Sequence, residues 1–329
     1  MLRASLILMV SILIFLCLLI SYAWQEDKSI ETLKTTWATS PSKFLVLNGQ
    51  EVHYRDEGPR DDPNPIVLIH GASSSLHTWD GWFTPLSGQR RVITMDIPGF
   101  GITGPNAKGD YSIEAYVNWI EKFTDVLKIQ RFVIGGYSLG GEIAWNFVLQ
   151  KPNSVAGLIL VDASGYAVKA QSFPIIFRAY RNPYLRPILE KVLIRPLVKS
   201  SLLNVFHDPK FVTDALVEQY FELALRPGNR RALGQRFAQT LPGLNSERIR
   251  EIKVPTLILW GKNDNLTPVE MAEKFALDIQ NSKLFVFDQT GHLPHVESTN
   301  DTLVRVNEFI SSDAVSNKST LASSSRMKM

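Results

Sequence analysis

The chain has 329 residues, 45% of them hydrophobic, and a formal net charge of +3. That length and composition suit one large α/β domain, or a domain with a sizeable insertion, around a substantial core; scattered charge gives no basis for nucleic-acid binding. The single cysteine, Cys17, excludes an intrachain disulfide, and six histidines without an H-x-H or H-E-x-x-H arrangement suggest neither a metal site nor any other cofactor.

Residues 1–24 read as a signal anchor or signal peptide. An uncharged stretch runs from Ala4 to Gln25, about the length that crosses a bilayer as a helix. Arg3 precedes it, favouring a cytoplasmic N-terminus with the catalytic body on the far side. An uncleaved single-pass anchor is the preferred reading. Cleavage at the small-x-small site Ser21-Tyr22-Ala23, giving a secreted or periplasmic protein, is the alternative. Residues 25–42 are polar and threonine-rich and read as a linker.

The core is expected at residues 43–164 and 249–310. Phe44–Leu47 and Val52–Arg55 flank Asn48-Gly49, a hairpin signal that predicts two antiparallel edge strands. The apolar run Ile66–Ile69 suits a central parallel strand. It ends in His70-Gly71-Ala72, where the Ala72 amide is placed to face a site at the strand's carboxyl end. His70 reads as a structural loop residue. A short helix over 76–86 and a strand over Val92–Asp96 follow, and Asp96 reads as a structural carboxylate holding backbone amides. Gly99-Phe100-Gly101-Ile102-Thr103-Gly104 matches G-x-G-x-x-G as a string, but Pro105-Asn106 and Gly109-Asp110 follow where a dinucleotide site needs a helix. Ser112 opens a helix to about Lys128.

The chain is organised around Gly136-Tyr137-Ser138-Leu139-Gly140, a G-x-S-x-G sequence between the buried strand Arg131–Gly135 and an apolar helix from Gly141. A strand that turns at once into a helix projects its corner side chain beyond the sheet, where a base can reach it. Ser138 is therefore the candidate nucleophile. The backbone N–H groups of Ala72 and Leu139 are the expected oxyanion hole. A further buried strand over Val155–Asp162 precedes a break in the alternation.

Residues 165–248 are helical stretches rich in Phe, Tyr, Leu and Pro, and read as a lid over the strands' carboxyl ends. Between Tyr166 and Phe206, Lys169, Arg178, Arg181, Arg186, Lys191, Arg195 and Lys199 face one acidic residue, Glu190. They are interleaved with Phe173, Ile175, Ile176, Phe177, Tyr180 and Tyr184. Two readings stand for this surface: a solvated lid face, or one that lies against anionic lipid. Its apolar residues suit a pocket for apolar acyl or aromatic groups.

A serine hydroxyl needs a general base, and the base needs a carboxylate to fix its tautomer. The acid is placed at Asp264, in Gly261-Lys262-Asn263-Asp264 after the strand Thr256–Trp260, with Asp162 its rival. The base is placed at His292, in Thr290-Gly291-His292 after the strand Leu284–Phe287. His295 is assigned to the opening of the final helix, Val296–Ile310, and His53, His77 and His207 to structural roles. Residues 311–329 read as a disordered tail.

With these motifs in this order, residues 44–310 resemble the α/β-hydrolase fold superfamily, of the serine esterase and lipase-like kind. The resemblance implies a mostly parallel central sheet with helices on both faces and an inserted helical lid. It implies a Ser138–His292–Asp264 triad that cleaves esters of small molecules or lipids without a cofactor. Serine at the elbow argues against the epoxide hydrolases and haloalkane dehalogenases of the superfamily, which carry aspartate there. Carbon–carbon bond hydrolysis, cofactor-free perhydrolysis, and a receptor-like role with slow or no turnover remain as alternatives. Oligomeric state cannot be read.

Overall fold

The computed structural model describes residues 2–167, 182 and 184–316. In chain order the elements are α1 (Leu2–Ala23), α2 (Ile30–Trp37), β1 (Lys43–Leu47), β2 (Gln50–Glu57), β3 (Ile66–Ile69), α3 (Asp80–Ser87), β4 (Val92–Met95), α4 (Ile113–Val126), β5 (Phe132–Tyr137), α5 (Leu139–Gln150) and β6 (Val155–Val161). Then come α6 (Arg186–Leu189), α7 (Arg195–Val205), α8 (Asp214–Ala224), α9 (Asn229–Gln239), β7 (Thr256–Gly261), α10 (Val269–Asp278), β8 (Ser282–Phe287), α11 (Pro294–Glu297), α12 (Thr299–Ile310) and α13 (Asp313–Ser316).

Among the described residues eight strands form one sheet, in the order β1-β2-β4-β3-β5-β6-β7-β8. Strands β3 to β8 run parallel, and β1 and β2 add an antiparallel margin. The central strands are apolar throughout because both faces are covered. Val67, Ile69, Ile93, Met95 and Ile134 meet α4, α5 and α10 on one face. Ile66, Leu68, Val92, Val133, Leu257 and Leu259 meet α3 and α12 on the other. Asn48 and Gly49 both have positive φ (53° and 79°), as a tight two-residue hairpin turn requires. Of the two hairpin strands β1 alone lies at an edge; β2, expected there too, pairs with β4, and its His53 is fully buried against Asp96 at 2.8 Å. Asp96 also accepts from the Leu76 and Ile102 amides, at 2.8 and 2.7 Å. Burial opposes its charge, but His53, and beyond it His70 and His77, hold its carboxyl far below the usual range.

The expected linker is a correction. Ser29 caps α2 by accepting from Thr32 N–H at 3.2 Å, and Leu33 is fully buried. Trp37 Nε1 donates to Glu222 of α8 at 2.8 Å, and His77 Nε2 donates to the Trp37 carbonyl at 2.8 Å. The polar composition had hidden one apolar anchor per turn. The C-terminal boundary also moves: α13 occupies part of the expected tail, with Val315 buried against the sheet, while residues 317–329 lie outside the described ones. The final helix begins earlier than expected and is split, α11 ending at Glu297 and α12 starting at Thr299. Helices α6 to α9 stand between β6 and β7; Lys169, Phe173, Ile175, Ile176, Phe177, Arg178, Tyr180 and Arg181 lie outside the described residues. α1 contains one span, Ser5–Ala23, long and apolar enough to cross a membrane, and none of it is buried.

Because Leu33 is a core residue and not part of a tether, Leu33→Ala is expected to destabilise the body by about 3 kcal/mol, read by urea denaturation. An unchanged midpoint would restore the linker.

Candidate active site

Ser138 joins β5 to α5 with φ 53° and ψ −120°, outside the relaxed regions for a residue with a side chain. The backbone passes tightly on both sides. A Cβ on Gly140 would sit 2.1 Å from the Ile69 carbonyl oxygen, so only glycine fits there. The Ser138 N–H donates to the carbonyls of Val161 and Asp162 at 3.1 and 3.2 Å, and its own carbonyl accepts from Glu142 and Ser164. Ser138 is half-buried.

The loop after β3 runs beside the elbow: a Cβ on Gly71 would come to 3.1 Å from Ser138 Cβ. Ala72 follows directly, and Leu139 is the first residue of α5, where helix amides lack an intrahelical acceptor. Leu139 thus follows Ser138 directly in the chain, and Ala72 follows the glycine that packs against it. His70 organises this loop. Its Nε2 accepts from the Ile97 N–H at 3.1 Å and its Nδ1 donates to the Gly71 carbonyl at 2.7 Å. Burial pushes its pKa down, so it stays neutral.

Asp264 and His292 come from the loops after β7 and β8 and meet at 2.6 Å, Oδ2 to Nδ1, both buried. The His292 ring stands edge-on to the Tyr137 ring, with centroids 6.1 Å apart, which brings the imidazole beside the residue preceding Ser138. Asp264 also accepts from the Leu266 and Thr267 amides at 2.7 and 3.1 Å, and from the Thr267 hydroxyl. Burial opposes its charge, but the imidazole and these donors win, and its carboxyl is held below the ordinary range.

Asp162, the rival acid, is fully buried at the end of β6 and accepts from the Gly261 N–H at 3.1 Å. One ligand atom from each of Asp162, Asp264 and His292 lies within 4.8 Å of the others. The His292 Nδ1–H is spent on Asp264, so the group is arranged as an acid–base pair with a second carboxyl behind it and not as a set of free lone pairs. Burial, then the Asp264 charge, push the Asp162 pKa well up. The two carboxyls therefore take opposite protonation states.

His295 is packed between Trp79 (centroids 4.4 Å) and Tyr137 (4.8 Å) and bonds to the Thr78 hydroxyl at 2.8 Å. Burial pushes it down to about 3, so it does not compete as a base. His53 and His77 sit with Asp96 and Trp37, away from this loop. Two supporting residues were missed in the sequence. Thr267 bonds Asp264 and the Asp162 carbonyl; its signal is a hydroxyl three residues after an aspartate in a turn. Glu297 accepts from the amides of Gly291 at 2.6 Å and of His207 and Asp208 at 2.9 Å, shaping the His292 loop. Nothing in its local sequence marks it.

A sequence model of the α/β hydrolase fold matches residues 64–299. A 2-hydroxy-6-oxo-2,4-heptadienoate hydrolase of Pseudomonas putida is 28% identical over 82% of this chain and 96% of its own. Two solved structures are each 25% identical. A meta-cleavage product hydrolase of Pseudomonas fluorescens matches with TM-score 0.68 over 82% of this chain and 97% of that one. A putative lipase of Acinetobacter baumannii matches with TM-score 0.71 over 88% and 97%.

The opposed carboxyls have a measurable signature. An unfolded Asp162 ionises near pH 4, whereas the folded one keeps its proton to much higher pH, so its contribution to stability is full below about pH 4 and lost as pH rises. Asp264 is the reverse: its contribution is present above about pH 4 and lost as pH falls through its lowered folded pKa. Asp162→Asn is therefore expected to raise the melting temperature at pH 7–8 relative to the parent, and to lose that advantage toward pH 4. Parallel melting curves across this range would rule out the raised Asp162 pKa.

Proposed function

The chain belongs to the α/β-hydrolase fold family and is a hydrolase, and from that premise we propose that it cleaves carboxylic esters of apolar acyl or aromatic groups through Ser138, His292 and Asp264. The observation that carries this reading is the 2.6 Å bond between Asp264 and His292 in loops that converge on the strained Ser138 turn. In this mechanism His292 Nε2 takes the Ser138 proton as Oγ attacks the ester carbonyl. Asp264 holds the Nδ1–H tautomer and stabilises the imidazolium. The Ala72 and Leu139 amides receive the oxyanion, each worth about 3 kcal/mol in the transition state. The imidazolium protonates the leaving alkoxide, and water deprotonated by His292 then frees the acyl group. Ester cleavage by this route needs no other group.

The second reading is carbon–carbon bond hydrolysis, favoured by the Pseudomonas relatives, whose names specify dienoate and meta-cleavage substrates. That reaction uses the same acylation and also requires the departing carbon to be protonated, because a carbanion is a far poorer leaving group than an alkoxide.

We read helices α6 to α9 as a lid over the site, and α1 as an uncleaved single-pass anchor with the catalytic body outside the cytoplasm; the small-x-small site at Ser21-Tyr22-Ala23 leaves cleavage and secretion as the alternative. The apolar span Ser5–Ala23 supports the first, since its length matches a bilayer.

The test compares p-nitrophenyl esters from acetate to palmitate with 2-hydroxy-6-oxo-2,4-heptadienoate, whose conjugated chromophore is lost on cleavage. Ester turnover is expected to fall on the order of 10⁶-fold in Ser138→Ala and about 10⁴-fold in Asp264→Asn. Dienoate cleavage without ester turnover would overturn the ester reading in favour of the second. Unchanged turnover in Ser138→Ala would overturn both.

A further inference from the structure

The end of α1 is bonded to the helical insertion. The Ala23 carbonyl accepts from the Leu193 N–H at 2.8 Å, and the Gln25 N–H donates to the Lys191 carbonyl at 2.9 Å. Trp24 and Val192 pair between them as an antiparallel bridge. Arg230 of α9 is 5% exposed and closes this join. Its guanidinium donates to the carbonyls of Lys191 and Gln25, each at 2.9 Å, and pairs with Asp27 at 2.7 Å. α6 lies directly before the join, and the Val192 N–H bonds back to the Ile188 carbonyl at 3.0 Å.

The surroundings of the join are apolar and exposed. Tyr184 is 88% exposed, Leu185 44% and Ile188 39%, and at the end of α1 Tyr22 and Trp24 are 76% and 44% exposed. Aromatic side chains at the end of a membrane span favour the headgroup level. Arg186 and Lys191 flank Ile188 with the sign that anionic headgroups attract, while Arg195 and Lys199 pair with Glu218 and Asp214 of α8 and Glu190 pairs with Arg231 of α9.

Length then fixes the level of the insertion. The 19 residues of Ser5–Ala23 make about 28 Å of helix at 1.5 Å per residue, against roughly 30 Å of bilayer hydrocarbon. A span that uses its whole apolar length leaves Ala23 at the hydrocarbon boundary. Leu193 is bonded to Ala23, and Ile188 stands about one helical turn, roughly 5.4 Å, from Val192. The headgroup layer itself is only about 5–8 Å deep. We infer that the face of the insertion formed by Tyr184, Leu185 and Ile188 is a lipid-docking surface, seated in the headgroup layer of the membrane that α1 spans. This rests on the reading of α1 as an uncleaved anchor.

The test uses the full chain in vesicles of phosphatidylcholine and phosphatidylglycerol, with an environment-sensitive fluorophore on one cysteine at a time and nitroxide-labelled lipids as quencher. The native Cys17 reports on α1. In a Cys17→Ser background, Ile188→Cys and Tyr184→Cys report on the insertion, two sites guarding against local damage at either. Leu277→Cys, at 81% exposure near the end of α10, is the control: a helix antiparallel to the strands ends away from their carboxyl ends. Loss of emission at 17, 184 and 188 with none at 277 is the expected result. Quenching at 17 without quenching at 184 and 188 would overturn the docking surface and leave the anchor standing. No quenching at 17 would overturn the anchor and the inference with it.

Discussion

At φ 53°, Ser138 occupies backbone space that costs a residue with a side chain roughly 1–3 kcal/mol, and the middle of the sheet is built to hold it there. Two carbonyls at the end of β6 take its N–H, and the amides of Glu142 and Ser164 bond its carbonyl. The β3 backbone lies so close to Gly140 that no larger residue fits. The turn cannot relax without breaking contacts between β3, β5, β6 and α5. Those are the most central elements of the fold, with every residue of β3, β5 and β6 buried. Hydrophobic burial on both faces of the sheet offsets the local strain, and the result is one half-buried serine at a strand end.

The same strand ends carry the electrostatics. A carboxylate pair buried at close range cannot carry two charges cheaply. Here the environment divides the roles: Asp264 has two amides, a hydroxyl and an imidazole, while Asp162 has one amide and the neighbouring charge. The difference in hydrogen-bond supply decides which one stays ionised. Asp96 is a second buried carboxylate kept charged at zero exposure, chiefly by His53, while two amides also bond it.

The fold was legible because its signals are local and of strict period. Apolar tetrads such as Ile66–Ile69 read directly as central strands, and Asn48-Gly49 as a hairpin. Ser138, Asp264 and His292 stood out because each follows a strand within a few residues and the order of types is restrictive. What escaped were residues whose partners are distant in sequence. Glu297 gains its place from amides at 207, 208 and 291, and α2 from Glu222 and His77. No window of sequence around Ser29–Trp37 contains that information. The split between α11 and α12 follows the Ser298 backbone, at φ −122° and ψ 43°, which propensity does not announce.

One contact carries a consequence for motion. The His292 N–H donates to the Val205 carbonyl at 2.8 Å, where α7 ends, and a Cβ on Gly291 would come within 2.5 Å of that oxygen. The insertion and the loop that bears the imidazole are thus sewn together at this rim. The insertion is held to the core elsewhere as well, by Arg226 and Asn229 on the carbonyls of Ile102, Thr103 and Gly101 and by Arg236 on Glu142. Any shift at the end of α7 is passed directly to the backbone of His292, the residue that also bonds Asp264.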